Sequence, residues 1–381
     1  MSIDLPVLSN NPTPTEIGRV GIHPITKYQN LSAGELTARI TAARKTLGER
    51  LLILGHNYQR DEVIVHADLR GDSLLLAKYA QQYADRPYVV FCGVHFMAET
   101  ADVLSRSNQT VILPDMAAGC SMADMAAIEQ VEECWEALAR VVPVEEAVMP
   151  VVYVNSAAIL KAFCGEHGGL TCTSSNAKAI IEWSWARREK ILFFPDEHLG
   201  RNTANKMGIP AEQMIVWDPS LPNGGNTPEA IKRSRLILWK GHCSVHQMFQ
   251  PAHVDYFRKT YPGITVMVHP ECHESVVNKA DLVGSTEHII RTITAAPAGT
   301  SWAVGTELNL VNRLKQELTD KHIYFLSATV CQCATMYRID APHLCWALEN
   351  LVDGCVVNHI VVPPDEKEWA KVALERMMAL S

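Results

Sequence analysis

Two histidines closing apolar runs, and three cysteines far apart in the chain, set the chemistry this sequence can perform. His56 closes Leu51-Leu52-Ile53-Leu54-Gly55, and His269 closes Thr265-Val266-Met267-Val268. Gly71-Asp72-Ser73 begins 15 residues after His56, and Gly284-Ser285-Thr286 begins 15 residues after His269. Cys120 and Cys333 each lie 64 residues beyond their histidine. Gly93 and Gly305, at the ends of the next apolar runs, fall at offsets of 37 and 36. Such matching offsets mark an internal repeat. A looser middle copy runs from Tyr153-Val154-Asn155 through Thr173-Ser174-Ser175-Asn176 and Phe193-Phe194-Pro195-Asp196 to Cys243. There the span from Asn155 to Cys243 is 88 residues, the excess including the turn-rich segment from Asp218 to Thr227.

Each copy gathers polar residues where a parallel strand would end, which is where ligands bind in open α/β sheets. These are His56, Asn57 and Tyr58; Tyr153 and Asn155; His269 and Glu271. Glu271 beside His269 is a candidate general base, with a surface turn Glu as the alternative. Tyr58 and Tyr153 could orient or protonate a substrate oxygen or simply pack. The three hydroxyl loops each lead into a helical pattern and suit the carboxylates or phosphate of an anionic substrate; plain N-capping is the bland reading. His95, Asp196, His198 and His246 are given supporting roles.

Cys120, Cys243 and Cys333 share one position, after the last strand of each copy. Three thiolates from distant loops suit a metal centre better than a local C-x-x-C zinc site. A [4Fe–4S] cluster on three cysteines would keep one iron open as a Lewis acid. Ordinary turn cysteines are the alternative. Cys331-Gln332-Cys333 is too short for a C-x-x-C motif, and the 64-residue spacing selects Cys333. Cys134, Cys164, Cys345 and Cys355 are expected to be small buried hydrophobes.

The elements that position these groups alternate between β-rich runs and amphipathic stretches, the pattern of parallel sheets covered by helices. The expected fold class is α/β, with three similar αβα units around a pseudo-threefold axis and the active site at their junction. The boundaries read 1–31 for an N-terminal arm, then 32–135, 136–246 and 247–381, the last unit including a C-terminal helix from about Pro364 to Ala379. Ser32-Ala33-Gly34-Glu35 is a capping box opening a helix to about Gly48. A chain of 381 residues exceeds one compact core. A net charge of −8 argues against nucleic acid as a partner. No apolar run spans a bilayer and no signal peptide is seen, so a cytoplasmic location is expected. Eleven cysteines, an odd number in a reducing compartment, do not suggest a disulfide framework. Nucleotide fingerprints are absent, so nicotinamide, flavin and ATP are not indicated.

At these residues the chain resembles the quinolinate synthase family. The matching stretches include Gly55-His56-Asn57-Tyr58-Gln59, Phe96-Met97-Ala98-Glu99-Thr100, the PDEHLG run from Pro195 to Gly200, Val268-His269-Pro270-Glu271 and Cys333-Ala334-Thr335-Met336. The resemblance implies a [4Fe–4S] cluster on Cys120, Cys243 and Cys333. It implies condensation of iminoaspartate with dihydroxyacetone phosphate to quinolinate, with release of phosphate and water, in de novo NAD biosynthesis. It carries substrate-site roles to His56, Tyr58, Ser73, Tyr153, Asn155, Ser174, His269, Glu271, Ser285 and Thr286, with Glu271, His56, Tyr58 and His269 as the catalytic set. Its partners are the two small substrates and, by functional coupling, an aspartate-oxidising enzyme, with neither nucleic acid nor membrane. The chain departs from the family at Asn155-Ser156-Ala157, where Asn-Thr-Ser is common, and in lacking the C-x-x-C pair that some members use for a regulatory disulfide. Another [4Fe–4S]-dependent hydro-lyase of small hydroxy acids and a non-enzymatic iron–sulfur sensor are the competing readings.

Overall fold

A computed structural model describes residues 23–329 and 332–380; Cys331 and most of the expected N-terminal arm lie outside the described residues. The strands are β1 (Leu51–His56), β2 (Leu69–Gly71), β3 (Tyr88–Cys92), β4 (Thr110–Ile112), β5 (Val148–Tyr153), β6 (Leu170–Cys172) and β7 (Lys190–Phe194). They continue with β8 (Met214–Trp217), β9 (Leu236–Trp239), β10 (Thr265–Val268), β11 (Leu282–Val283), β12 (Ser301–Gly305), β13 (His322–Phe325) and β14 (His359–Ile360). They form three sheets, ordered β14-β4-β3-β1-β2, β6-β5-β7-β9-β8 and β11-β10-β12-β13. All pairs are parallel except β14 with β4. Helices connect the strands, so the fold is α/β. Every residue of β1 and of β5 is buried, which is why those strands read as unbroken apolar runs rather than alternating ones.

The described chain divides into two compact units. One holds the first sheet and combines the chain up to Cys120 with Cys333–Val362. The other runs from Ser121 to Gln332, takes in the last helix, and holds the second and third sheets.

The repeat read from the sequence is written into the hydrogen bonding. Leu54 pairs with Phe91 across β1 and β3, and Met267 pairs with Val304 across β10 and β12, the same displacement in both. The one-residue mismatch between Gly93 and Gly305 vanishes in this register, because Gly305 pairs with Val268 as Cys92 pairs with Gly55. Cys92, not Gly93, is the counterpart of Gly305. Asp68 Oδ2 accepts from the Ile53 N–H at 2.7 Å, and Asp281 Oδ2 accepts from the Val266 N–H at 2.8 Å. Each aspartate also takes an arginine, Arg44 or Arg258, at the bottom of its sheet. The middle copy is longer because β8 is inserted as an extra edge strand beyond β9. In the first sheet β14 occupies the corresponding edge, beyond β4, in the opposite direction.

Ser32 caps the helix Ala33–Leu47 with the reciprocal Glu35 bond expected of a capping box, and buries Leu36, Ile40, Ala43 and Leu47. The last helix spans Pro364–Met378 and lies on the helix Ala158–Glu166 beside β6. The approach is so close that a Cβ on Gly165 would sit 2.0 Å from the Trp369 carbonyl oxygen. Among the described residues no helix is long and apolar enough to cross a membrane.

Candidate active site

Tyr153 is the last residue of β5, and Glu271 follows the end of β10 by three residues; both are buried. The Tyr153 hydroxyl donates to Glu271 Oε1 at 2.6 Å. The other carboxylate oxygen, Oε2, lies 2.8 Å from Nδ1 of His246. His246 sits on the short helix Ser244–Gln247, whose N-cap is Cys243. Its ring stacks on that of His269 at 4.5 Å and 22°. Its Nε2 is 3.3 Å from the Thr306 hydroxyl just past β12. One donor atom each of Cys243, His246 and Glu271 falls within a 4.8 Å sphere of mutual distance. Three strand ends of this unit, those of β5, β9 and β10, therefore deliver a thiol, two imidazoles, a carboxylate and a phenol to one place, and β12 adds the Thr306 hydroxyl.

The turn carrying Glu271 is clamped. Buried Asn202 donates its side-chain amide to the carbonyls of Pro270 and Cys272, both at 2.8 Å, and Gln247 donates to the Glu271 carbonyl at 3.0 Å. Such side chain to backbone bonds hold a loop as firmly as secondary structure does, since each satisfies a buried acceptor.

Burial by itself works against an ionised Glu271, but the neighbouring His246 and His269 and the Tyr153 hydrogen bond outweigh it and hold the carboxyl below its usual range. Asp196, fully buried just past the end of β7, goes the other way: burial, then the Glu271 charge, pushes its carboxyl well up. Its Oδ1 caps the helix Glu197–Lys206 through the Leu199 N–H at 2.6 Å. Burial pushes His269 down to about 3, leaving it neutral. The Glu271 N–H donates to His269 Nδ1 at 3.3 Å, which assigns the ring hydrogen to Nε2. His198 is pushed down to about 4 by burial and lies against His273, outside this group.

In the same unit the second and third hydroxyl loops meet: Ser175 donates to Ser285 at 2.9 Å. Ser285 caps the helix Thr286–Ala295, and Thr286 is its first residue. Ser174 is half-buried in the turn before Asn176. Asn155 is half-buried in the bend after β5, where buried Ser156 donates to the Tyr153 carbonyl at 2.7 Å. Of the two residues at which the chain departs from the common Asn-Thr-Ser, Ser156 thus keeps a hydroxyl that closes the corner, and Ala157 has none.

In the first unit, Tyr58 donates its N–H to His56 Nδ1 at 3.1 Å, and the two rings meet edge to face at 4.9 Å. Ser73 is buried and opens the helix Ser73–Gln82, but the cap is Asp72, which accepts from the Leu75 N–H at 2.9 Å. Cys120 and Cys333 also belong to this unit.

Ten cysteines are described, and seven of them are buried. Burial pushes the thiols of Cys92 and Cys345 up to about 12 and those of Cys134, Cys164, Cys172 and Cys272 well above their ordinary value, so these keep their protons. The three that are only partly buried are Cys120, Cys243 and Cys333, the three singled out by the repeat. A thiol that ligates iron must be reachable, so the chemistry of these donors is compatible with an iron–sulfur cluster.

The family profile described as quinolinate synthetase A protein matches residues 38–379. The chain belongs to that family. A quinolinate synthase of Rhodopirellula baltica is 56% identical over 393 residues, covering 99% of this chain and 100% of the relative. One of Herpetosiphon aurantiacus is 58% identical over 356 residues (93% and 95%), and one of Corynebacterium glutamicum is 50% identical over 371 residues (97% and 94%). The protein is an enzyme of the quinolinate synthetase A family. Of its site, the sequence reading put His246 in a supporting role, and the structure sets it against Glu271. Asn202, Gln247 and Thr306 were not singled out; only the i, i+3 spacing of Cys243 and His246 hinted at this side of the site.

Proposed function

We propose that the protein condenses iminoaspartate with dihydroxyacetone phosphate to quinolinate, releasing one phosphate and two waters, as the quinolinate-forming step of NAD biosynthesis. The observation that carries this reading is the buried Glu271 held between Tyr153 and His246. Ring formation from these substrates needs proton movements between carbon and oxygen, and a fixed carboxylate with a phenol and an imidazole in contact can make them. Standing alone, so acidic a carboxyl is a weak base. A dicarboxylate substrate brings negative charge close to it, which raises its affinity for a proton toward the working range.

Tyr153 presents its hydroxyl to the same carboxylate, so it can pass a proton to a substrate oxygen and recover it from Glu271. Neutral His269, with its hydrogen on Nε2, is a donor and carries no charge of its own. The joined loops at Ser175 and Ser285, with the helix N-terminus at Thr286, suit the phosphate of dihydroxyacetone phosphate before it leaves. The substrate supplies its own nitrogen, so no lysine Schiff base is required. Cys120, Cys243 and Cys333 would hold a [4Fe–4S] cluster, which when bound supplies an open iron acting as a Lewis acid on a substrate oxygen.

The test is anaerobic reconstitution with iron and sulfide followed by assay with both substrates. A brown protein releasing quinolinate and phosphate in equal amounts is expected. A reconstituted, brown protein that forms no quinolinate would overturn the reaction, and a chain that binds no iron and sulfide would overturn the cofactor.

A further inference from the structure

We propose that Asp115 and Arg338 are a positioning pair that sets the separation of Cys120 and Cys333. The inference rests on the reading that these two thiols hold a cluster together with Cys243, and it names residues that bring two of the three into register. Cys120 and Cys333 lie far apart in sequence, yet both belong to the first unit.

Asp115 follows the end of β4 and stands five residues before Cys120; only 1% of it is exposed. Its two carboxylate oxygens have different tasks. Oδ1 accepts from the Ala117 N–H at 2.9 Å, and the Asp115 carbonyl accepts from the Ala118 N–H at 3.0 Å, which folds the turn leading to Cys120. Oδ2 accepts from Arg338 Nε at 2.8 Å, and Nε2 of His343 faces the same oxygen at 3.8 Å. Arg338 ends the short turn Met336–Arg338, and the Cys333 carbonyl accepts from the Tyr337 N–H of that turn at 2.9 Å. One buried carboxylate therefore shapes the approach to Cys120 and grips the segment that carries Cys333.

Two longer bonds tie the Cys333 segment to the end of β1 instead. Gln59 donates to the Met336 carbonyl at 3.4 Å, and Arg60 donates to the Tyr337 carbonyl at 3.3 Å. Neither reaches the turn before Cys120. A charge-assisted bond is about twice as strong as a neutral one, and removing the cation leaves Asp115 buried and uncompensated. The turn before Cys120 must then rearrange, and the Cys333 turn loses its hold on it. Arg338 itself is half-exposed, so truncating it opens no core cavity. Groups that orient metal ligands without touching the metal are worth about tenfold to a hundredfold in metal affinity.

The experiment compares Arg338→Ala with Arg39→Ala in the full chain after anaerobic reconstitution. Arg39 pairs with Glu349 in the same unit, its Nε donating to Oε1 at 2.7 Å, and that pair belongs to neither cysteine-bearing turn. Both variants should lower the urea midpoint. Only Arg338→Ala should speed the loss of iron to a chelator, by about tenfold or more. A second readout needs no iron. In apoprotein carrying Cys243→Ser and Cys331→Ser, a short bifunctional thiol reagent should bridge Cys120 to Cys333, read by mass spectrometry. Adding Arg338→Ala should remove most of that bridge, and adding Arg39→Ala should leave it. Circular dichroism checks folding; should Arg338→Ala fail to fold, Arg338→Gln carries the same comparison. Equal rates of iron loss in the two variants would overturn the pair, as would a bridge that never forms or that survives the loss of Arg338. A wild type that takes up no iron and sulfide would overturn the cluster reading instead, and the bridge would then decide this inference alone.

Discussion

The ends of β1 and β10 are the same device built twice and used differently. In both, a histidine closes the strand and the N–H two residues later donates to its Nδ1, at 3.1 Å for Tyr58 onto His56 and 3.3 Å for Glu271 onto His269. Both strands are tied at their other end by an aspartate twelve residues after the histidine. The difference is the side chain at that second position. The first copy carries a phenol set edge to face against its histidine; the third carries a carboxylate buried against His246 and Tyr153. The shared scaffold fixes the imidazole tautomer, and a single residue type decides where the negative charge sits.

Exchanging that charge should have the largest effect. Glu271→Gln keeps the shape but removes the carboxylate, and kcat should fall by about 10²–10⁴-fold while iron and sulfide content stays at the wild-type level. Tyr58→Phe at the matching place should lower kcat less; equal losses would erase the distinction between the copies. The repeat also makes Cys120 and Cys333 equivalent. Cys120→Ala and Cys333→Ala should each abolish cluster absorbance after reconstitution, and Cys331→Ala should leave it unchanged.

The third-copy strand end should also be acid-sensitive. The unfolded chain protonates His269 near its ordinary 6.5, whereas the folded protein does so only near 3. Unfolding therefore takes up a proton in that window, and stability present above pH 6.5 is lost progressively as the pH falls toward 3. The loss between pH 7 and 5 is on the order of 2 kcal/mol, read as a lower urea midpoint, and His269→Gln should flatten it.

The smallest effects concern the caps. Asp72→Ala and Ser285→Ala should each cost about 1 kcal/mol of stability, measured by urea unfolding. Only Ser285→Ala should raise the KM for dihydroxyacetone phosphate, because Asp72 puts a carboxylate where the third copy offers a hydroxyl. A matching rise from Asp72→Ala would move the phosphate to the first unit.

The repeat was legible because strand pairing fixes sequence spacing: the offsets of Ser73, Ser285, Cys120 and Cys333 follow from equal strands and equal connections. The middle copy was blurred by β8, a short edge strand that adds length without adding to the shared strand order. Glu271 was legible beside His269 because two residues of separation keep them in one turn. Asn202, Gln247 and Thr306 were not, since they meet the 270–272 turn and His246 only through folding, and nothing local marks an amide aimed at a distant carbonyl. The Asp72 cap shows the opposite error: a hydroxyl motif drew notice to Ser73, while the neighbouring carboxylate does the capping.

The last helix, seated on Gly165, has a consequence for biosynthesis. Both compact units are closed by late segments, the first by Cys333–Val362 and the second by Pro364–Met378. Domains tend to fold in the order in which they emerge during synthesis, but here neither unit has all its parts until these later segments have been made. A nascent chain stalled before residue 333 would expose the faces that these segments cover, so the arrival of these two segments acts as the signal that each unit may close.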